Sequence, residues 1–342
     1  INFNRKSMKF NKILIVSLIL TTFFLVSCKN NKDKYKDLPK PLAELCMKID
    51  KDPDNAELYY KRAQYYYQNG FVDEGFKDAS QAVKLDSKNA LYQILISDFY
   101  FAKRETDLAE ESLQKAIQLD PKNNDARLKL AELYYHLEMP TECNATLDEA
   151  LKLKNFNPTA HLIRAFLLKE ANDTIGMLRM LQLVIDQNPK EKKAYLELGY
   201  YYQERLNPIA IQYYQNALRI DPKDKEINYN LAKLYQDLKE LDAAIQQYNT
   251  LLTIDPKNVF AYNNIGYINL YYFDKYNEAI AYFTKAIDID STFVNAICNR
   301  GVAFELSKNY VNARRDFEYC KQIDPNFEPA VLGLNRLDKI KK

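Results

Sequence analysis

Glycine is scarce, tryptophan is absent and histidine occurs only twice in this chain of 342 residues. Each shortage narrows the reading. Seven glycines leave little material for tight turns or for loops that cradle phosphate, which points to long helices joined by short connections. His136 and His161 lie 25 residues apart with Cys143 between them, a spacing that fits no zinc motif, and they read as incidental helix residues. The sequence contains no GxSxG, no HExxH and no CxxC, so the common hydrolase, zinc-peptidase and thiol-redox signatures are missing. Neighbouring carboxylates such as Glu110 and Glu111 diverge on a helix and read as solvated surface. No catalytic, metal-binding or cofactor-binding constellation emerges, and the expectation is that the chain is not an enzyme.

Charge of one sign is also missing. The net charge is +2, but Arg5, Lys6, Lys9 and Lys12 stand without a single acid in residues 1–27, so the remainder carries −2. A nearly neutral body has no electrostatic footprint for nucleic acid. The run at 190–193 (Lys190, Glu191, Lys192, Lys193) reads as a polar connection.

What is present begins at the N-terminus. A short basic start at Met8, where translation is expected to begin, leads into an apolar run over 13–26. Those 14 residues are short for a membrane-spanning helix and suit a signal-peptide core. The run ends in Leu25-Val26-Ser27-Cys28, which resembles a bacterial lipobox. The resemblance implies cleavage after residue 27 and lipid on the sulfur of Cys28, with several acyl chains because one holds only marginally. Lys29 follows the cysteine where an aspartate would signal retention in the inner membrane. The resemblance therefore implies the cell envelope, at the outer membrane facing the periplasm, with lipid as the only membrane attachment. Residues 28–40 are polar and expected to form a flexible tether. The other cysteines, Cys46, Cys143, Cys298 and Cys320, mostly replace Ala or Leu in helical patterns and read as small buried hydrophobes, with a disulfide left open.

Beyond the tether the sequence repeats itself. Asp-Pro or a substitute recurs at Asp52, Asp86, Asp120, Lys154, Asn188, Asp221, Asp255, Asp290 and Asp324, at intervals of 33 to 35 residues. A proline there cannot continue a helix, so each marks a stop. Eight units follow: 56–89, 90–123, 124–157, 158–191, 192–224, 225–258, 259–293 and 294–327. Position 8 of each is small (Ala63, Ser97, Ala131, Ala165, Gly199, Ala232, Gly266, Gly301). Small residues also dominate position 20, from Gly75 to Ala313, and position 27, from Ala82 to Cys320. Two helices can approach closely only where neither projects bulk. Large residues fill position 11 (Tyr66, Tyr100, Tyr134, Tyr202, Tyr235, Phe304) and position 24 (Leu113, Leu147, Leu181, Tyr214, Tyr248, Phe283, Phe317). The fourth unit departs, with Leu168, Met177 and Val184 at three of these positions, and altered helix crossing is expected there.

This pattern resembles the tetratricopeptide repeat over residues 56–327. The resemblance implies an all-α solenoid of about eight helical hairpins, with a half repeat at 41–55 before them and a capping helix at 328–342 after them. It implies a concave groove lined by first-helix positions 2, 5, 9, 12 and 13. Here these supply Tyr60, Tyr67, Phe101, Tyr135, Phe166, Tyr200, Tyr229, Phe260, Tyr267 and Tyr271, about half of which the stacking of repeats could itself require. Aromatic side chains of this kind anchor interfaces. The pairing of Lys at position 5 with Asn at position 9, by which chaperone-binding members clamp a terminal carboxylate, is missing. The function expected is a scaffold or adaptor that binds partner proteins or peptides, as in several families of envelope lipoproteins. A carbohydrate-binding role in polysaccharide or peptidoglycan handling is the alternative, since aromatic and amide side chains also suit sugar faces.

Overall fold

The computed structural model describes residues 34–340; the signal segment, Cys28, Lys341 and Lys342 lie outside the described residues. The chain divides into two units, 1–105 and 106–342. The first holds α1 (Lys40–Lys51), α2 (Ala56–Gln68), α3 (Val72–Leu85) and α4 (Ala90–Ala102). The second begins with α5 (Thr106–Leu119), followed by α6 (Asn124–His136), α7 (Pro140–Leu153), α8 (Pro158–Glu170), α9 (Thr174–Gln187) and α10 (Lys192–Gln203). It continues through α11 (Ile209–Ile220), α12 (Lys225–Asp237), α13 (Leu241–Ile254), α14 (Val259–Tyr271), α15 (Tyr276–Ile289), α16 (Val294–Leu306), α17 (Tyr310–Ile323) and α18 (Glu328–Ile340). Among the described residues there is no strand. Within each unit consecutive helices pack as hairpins, and each hairpin packs on the next. The fold class is the all-α hairpin solenoid that the repeat implies.

The boundaries have local causes. The last residue of a repeat often caps the first helix of the next. Asn123, Asn157, Asp224 and Asn258 each accept a hydrogen bond from the backbone N–H three residues on, which satisfies a donor the helix leaves free. Second helices run into the Asp-Pro positions, where Asp86, Asn188, Asp221, Asp255 and Asp324 are the C-terminal caps.

The turns inside the hairpins correct one expectation. Few glycines were read as few tight turns, yet every hairpin has a left-handed residue in its turn. These are Gly70, Arg104, Glu138, Asn172, Leu206, Lys239, Asp274 and Lys308, with φ between 48° and 77°. Only one is glycine. The residue after each donates its N–H back across the turn, as Asp173 does to the Leu168 carbonyl at 2.8 Å and Asn309 to that of Phe304 at 2.8 Å. This bonding pattern closes helix C-termini. It holds non-glycine residues where their β-carbons cost about 1–2 kcal/mol.

The core follows the repeat. Every residue at positions 8, 20 and 27 is buried, as are the large residues named at position 24. In the second unit the ring of Tyr214 lies on Gly199, that of Phe283 on Gly266 and that of Phe317 on both Gly301 and Gly333. The fourth repeat balances volume differently. Met177 and Val184 share a buried cluster with Leu181, Leu162 and Ala165, so bulk at positions 20 and 27 accompanies leucine, not an aromatic ring, at position 24.

The first and the last described helices are both fastened. Residues 34–37 form a turn, within the stretch expected as a tether. Lys34 Nζ and Tyr35 Oη each lie 2.9 Å from Asp50 Oδ2 on α1. At the other end α18 buries Ala330, Gly333 and Leu337, and Arg336 grips Glu305 through two hydrogen bonds of 2.8 and 2.6 Å.

Candidate functional site

The aromatic residues expected along the inner positions prove to be of two kinds. The first kind ties neighbouring first helices together. In the second unit, Tyr135 on α6 is half-buried and donates its hydroxyl to Glu170 Oε1 on α8 at 2.7 Å, with its ring 6.1 Å from that of Phe166. Tyr200 on α10, also half-buried, donates to Glu226 on α12 and accepts from Asn230 Nδ2 at 3.2 Å. Burial, and then the carboxylate partner, pushes both phenols above their ordinary range, so they stay protonated donors. Tyr229 on α12 accepts from Asn264 on α14 at 3.4 Å. These side chains span one repeat step, about the distance at which a tyrosine reaches the next helix.

The second kind projects outward. Phe260 is 54% exposed and Tyr271 46%, both on α14. Phe260 stacks edge-on to Phe293 at 5.4 Å, and Tyr271 sits 4.5 Å from the half-buried Tyr267. In the first unit, Tyr60 is half-buried, with its ring 5.1 Å from Tyr92 and its hydroxyl accepting from Gln64. Tyr67 and Phe101 are exposed there, and Tyr67 lies edge-on to Phe99. Cys28 lies outside the described residues.

Three surface residues escaped the sequence reading. Leu306 on α16, with Leu332 and Arg336 on α18, joins Tyr271 around a cleft of about 580 Å³ that also takes in Val302, Glu305, Glu328 and Pro329. Leu306 is 47% and Leu332 49% exposed. The signal was available: Leu332 and Arg336 stand one repeat period beyond Cys298 and Val302, so α18 continues the layer of first helices while it caps the core.

The electrostatics change along this face. On α6 to α12 charged groups are dense and paired, as in Lys169 with Glu197 at 2.6 Å and Lys233 with Asp237. Helix α14 carries no charged residue at all. Its amides form a chain instead: Asn299 donates to Asn263 (3.2 Å), Asn263 to Asn264 (3.2 Å), and Asn264 to the hydroxyl of buried Tyr248 (2.9 Å). Among the described residues no group of His, Cys, Asp and Glu could hold a metal ion, and no helix is long and apolar enough to cross a membrane.

Comparison with known proteins agrees with this architecture. A model of the tetratricopeptide repeat matches residues 100–165 and 210–265, and a second model of that repeat matches 261–293. The chain carries tetratricopeptide repeats, a repeat class that generally presents extended surfaces to other proteins. A DnaJ homolog subfamily C member 7 homolog from Dictyostelium discoideum is 31% identical over 37% of this chain and 26% of its own length. The DnaJ protein P58IPK homolog B of Oryza sativa subsp. japonica is 26% identical over 53% of this chain and 42% of its own. The chain thus spans less than half the length of these curated relatives. A solved structure, the C-terminal part of a TPR repeat-containing protein from Cytophaga hutchinsonii, aligns at a TM-score of 0.60 over 70% of this chain and 98% of that one. At 18% identity the likeness is one of fold.

Proposed function

We propose that the chain is a lipid-anchored scaffold or adaptor of the bacterial cell envelope. Lipid on Cys28 holds it at the outer membrane, facing the periplasm. Partner proteins or peptides dock on the first-helix layer of the second unit, and neither a catalytic step nor nucleic acid is involved. One observation carries the docking part: Phe260, Tyr271, Leu306 and Leu332 expose large apolar side chains on three successive first helices. Solvent-facing hydrophobes of that size, on backbone held rigid by hairpin packing, suit a partner with apolar anchors. Glu305 and Arg336 neutralise one another beside them, so the partner segment needs little charge.

Photo-crosslinking residues placed at Phe260 and Tyr271 in cells test the surface, with Val311, 82% exposed on α17, as the control. A protein captured from positions 260 and 271 but not from 311 is expected. Capture from 311 alone, or from none, overturns the docking surface. For the anchor, Cys28→Ala should abolish fatty-acid labelling and release the chain from membranes. A variant that still labels and sediments with membranes removes the lipobox.

A further inference from the structure

The four cysteines among the described residues are all buried, but they meet different neighbours. Cys46, in the first unit, receives the Arg62 Nη1 donor at 3.3 Å. Cys143 lies in the third repeat, its sulfur 3.1 Å from the Ala131 carbonyl oxygen, and burial pushes its thiol up to about 11. A solenoid repeat touches only its neighbours, so Cys143 has no route to the sulfurs of the eighth repeat.

Cys298 and Cys320 are different. They stand on α16 and α17, the two arms of one hairpin, 22 positions apart. Both belong to one buried cluster with Ala313, Phe317, Ala330 and Leu337. Cys320 Sγ donates to the Val294 carbonyl at 3.6 Å; the neighbouring Cys320 thiol holds that of Cys298 below its ordinary range, and Cys298, together with burial, drives that of Cys320 above it. The sequence marks the pair too. At position 5 the other repeats carry Tyr60, Ile94, Leu128, Leu162, Leu196, Tyr229 and Asn263, and at position 27 they carry Ala, Val or Leu. Cysteine enters both positions in the same repeat and in no other.

We propose that Cys298 and Cys320 are joined by a disulfide as the chain folds in an oxidising compartment, closing the α16–α17 hairpin covalently. The proposal rests on the envelope location given above. The oxidant is a protein or small-molecule disulfide. One cysteine thiolate attacks a sulfur of it and expels a thiolate; the second cysteine then attacks the mixed disulfide and expels the other. Two thiol protons leave, two electrons pass to the oxidant, and it departs as a dithiol if a protein disulfide or as two thiols if a small molecule. Because Cys298 is 3% and Cys320 0% exposed, the exchange belongs to the folding chain, before α18 covers the cluster. Afterwards the same burial shields the bond from reductants.

Two preparations of the full chain test this. One is isolated from its own cells with immediate thiol alkylation. The other is reduced, denatured and refolded in a glutathione redox buffer. Peptide mapping of both is expected to show Cys46 and Cys143 alkylated, and the peptides of Cys298 and Cys320 linked and lighter by two hydrogens. If both cysteines alkylate in both preparations, or link to Cys46 or Cys143, the pairing is overturned and the envelope reading is untouched. If the link forms in glutathione but not in cells, the compartment is wrong and the proposal falls with it. Cys320→Ala, which installs the residue that five other repeats use there, supplies the second readout. Reductant should lower the melting midpoint of the parent chain and leave that of the variant unchanged; equal sensitivity overturns the proposal.

Discussion

A methyl group on the α-carbon of Gly199 would lie 2.5 Å from Cε1 of Tyr214, so the tyrosine ring of α11 rests directly on the backbone of α10. The same relation holds for Gly266 with Phe283 and Gly301 with Phe317. Where position 24 is a leucine, as in Leu147 and Leu181, position 8 is the alanine Ala131 or Ala165. From the third repeat onward the two positions trade volume. Ala232 opposite Tyr248 is the exception, and there the hydroxyl is held by Gln236 at 3.0 Å and by Asn264.

Gly199→Ala should therefore destabilise the chain by about 1–3 kcal/mol through overpacking. Adding Tyr214→Leu, which recreates the pairing of the third and fourth repeats, should return part of that loss, with a coupling of about 0.5–3 kcal/mol. Urea melts of the two single variants and the double variant measure it. Strict additivity would show that the two positions do not share space.

The left-handed turn residues predict the opposite sign. Leu206, at φ 48° and 56% exposed, bears a β-carbon penalty of about 1–2 kcal/mol, against about 0.5–1 kcal/mol of extra chain entropy for glycine. Leu206→Gly and Lys308→Gly should each raise stability by up to about 1 kcal/mol. Leu206→Ala, which keeps the β-carbon, should not. Thermal midpoints that rank alanine with glycine would remove the strain argument.

Tyr135→Phe and Phe260→Ala separate the two kinds of inner aromatic. The first deletes the hydroxyl that reaches Glu170 and should cost about 0.5–1.5 kcal/mol of stability while leaving partner capture intact. Phe260→Ala with Tyr271→Ala should leave the fold close to the parent and weaken partner binding by more than about 2 kcal/mol. The reverse assignment of effects, read by denaturant melts and by binding of the captured partner, would show that the hydroxyl ties are the recognition surface.

His161 gives the fold an acid-sensitive point. It is 8% exposed on α8, and burial, reinforced by the Arg164 charge, lowers its pKa from the ordinary 6.5. The unfolded chain then binds the proton more readily than the folded one, so stability is complete above that ordinary value and declines as pH falls below it. Denaturant midpoints followed from about pH 7.5 to about pH 5 should drop in the parent and flatten in His161→Phe. A parent profile as flat as that of the variant would mean that His161 charges in place without cost.

What the sequence disclosed was whatever depends on side-chain volume at fixed spacing. Ala63, Ala131 and Gly301 announce close crossings because a large residue there would be felt, and the stops at Asp-Pro follow from backbone chemistry. The turn residues were hidden. Leu206 and Lys239 carry no mark of a left-handed conformation, which the Schellman-type bonding imposes from both sides. The ties were hidden too, since the partner of the Tyr135 hydroxyl, Glu170, lies 35 residues away on another repeat and a single position cannot reveal it. Leu332 and Arg336 were overlooked because α18 was read for what it covers and not for the face it adds.

The clasp that Lys34 and Tyr35 make on Asp50 sets a leash. Five residues, 29–33, separate Cys28 from Lys34, and a chain of that length reaches at most roughly 20 Å. If Cys28 carries lipid, Lys34 and the Asp50 end of α1 that it holds stay within roughly 20 Å of the anchoring point. A long Gly-Ser insertion after Lys32 should then leave fatty-acid labelling unchanged while it frees fluorophores on α1 from quenchers in the bilayer surface, and quenching that persists at full strength would discount the leash. With lipid on Cys28, so short a stretch would keep the first unit beside the bilayer, and the length of residues 29–33 would set how far that unit can stand from it.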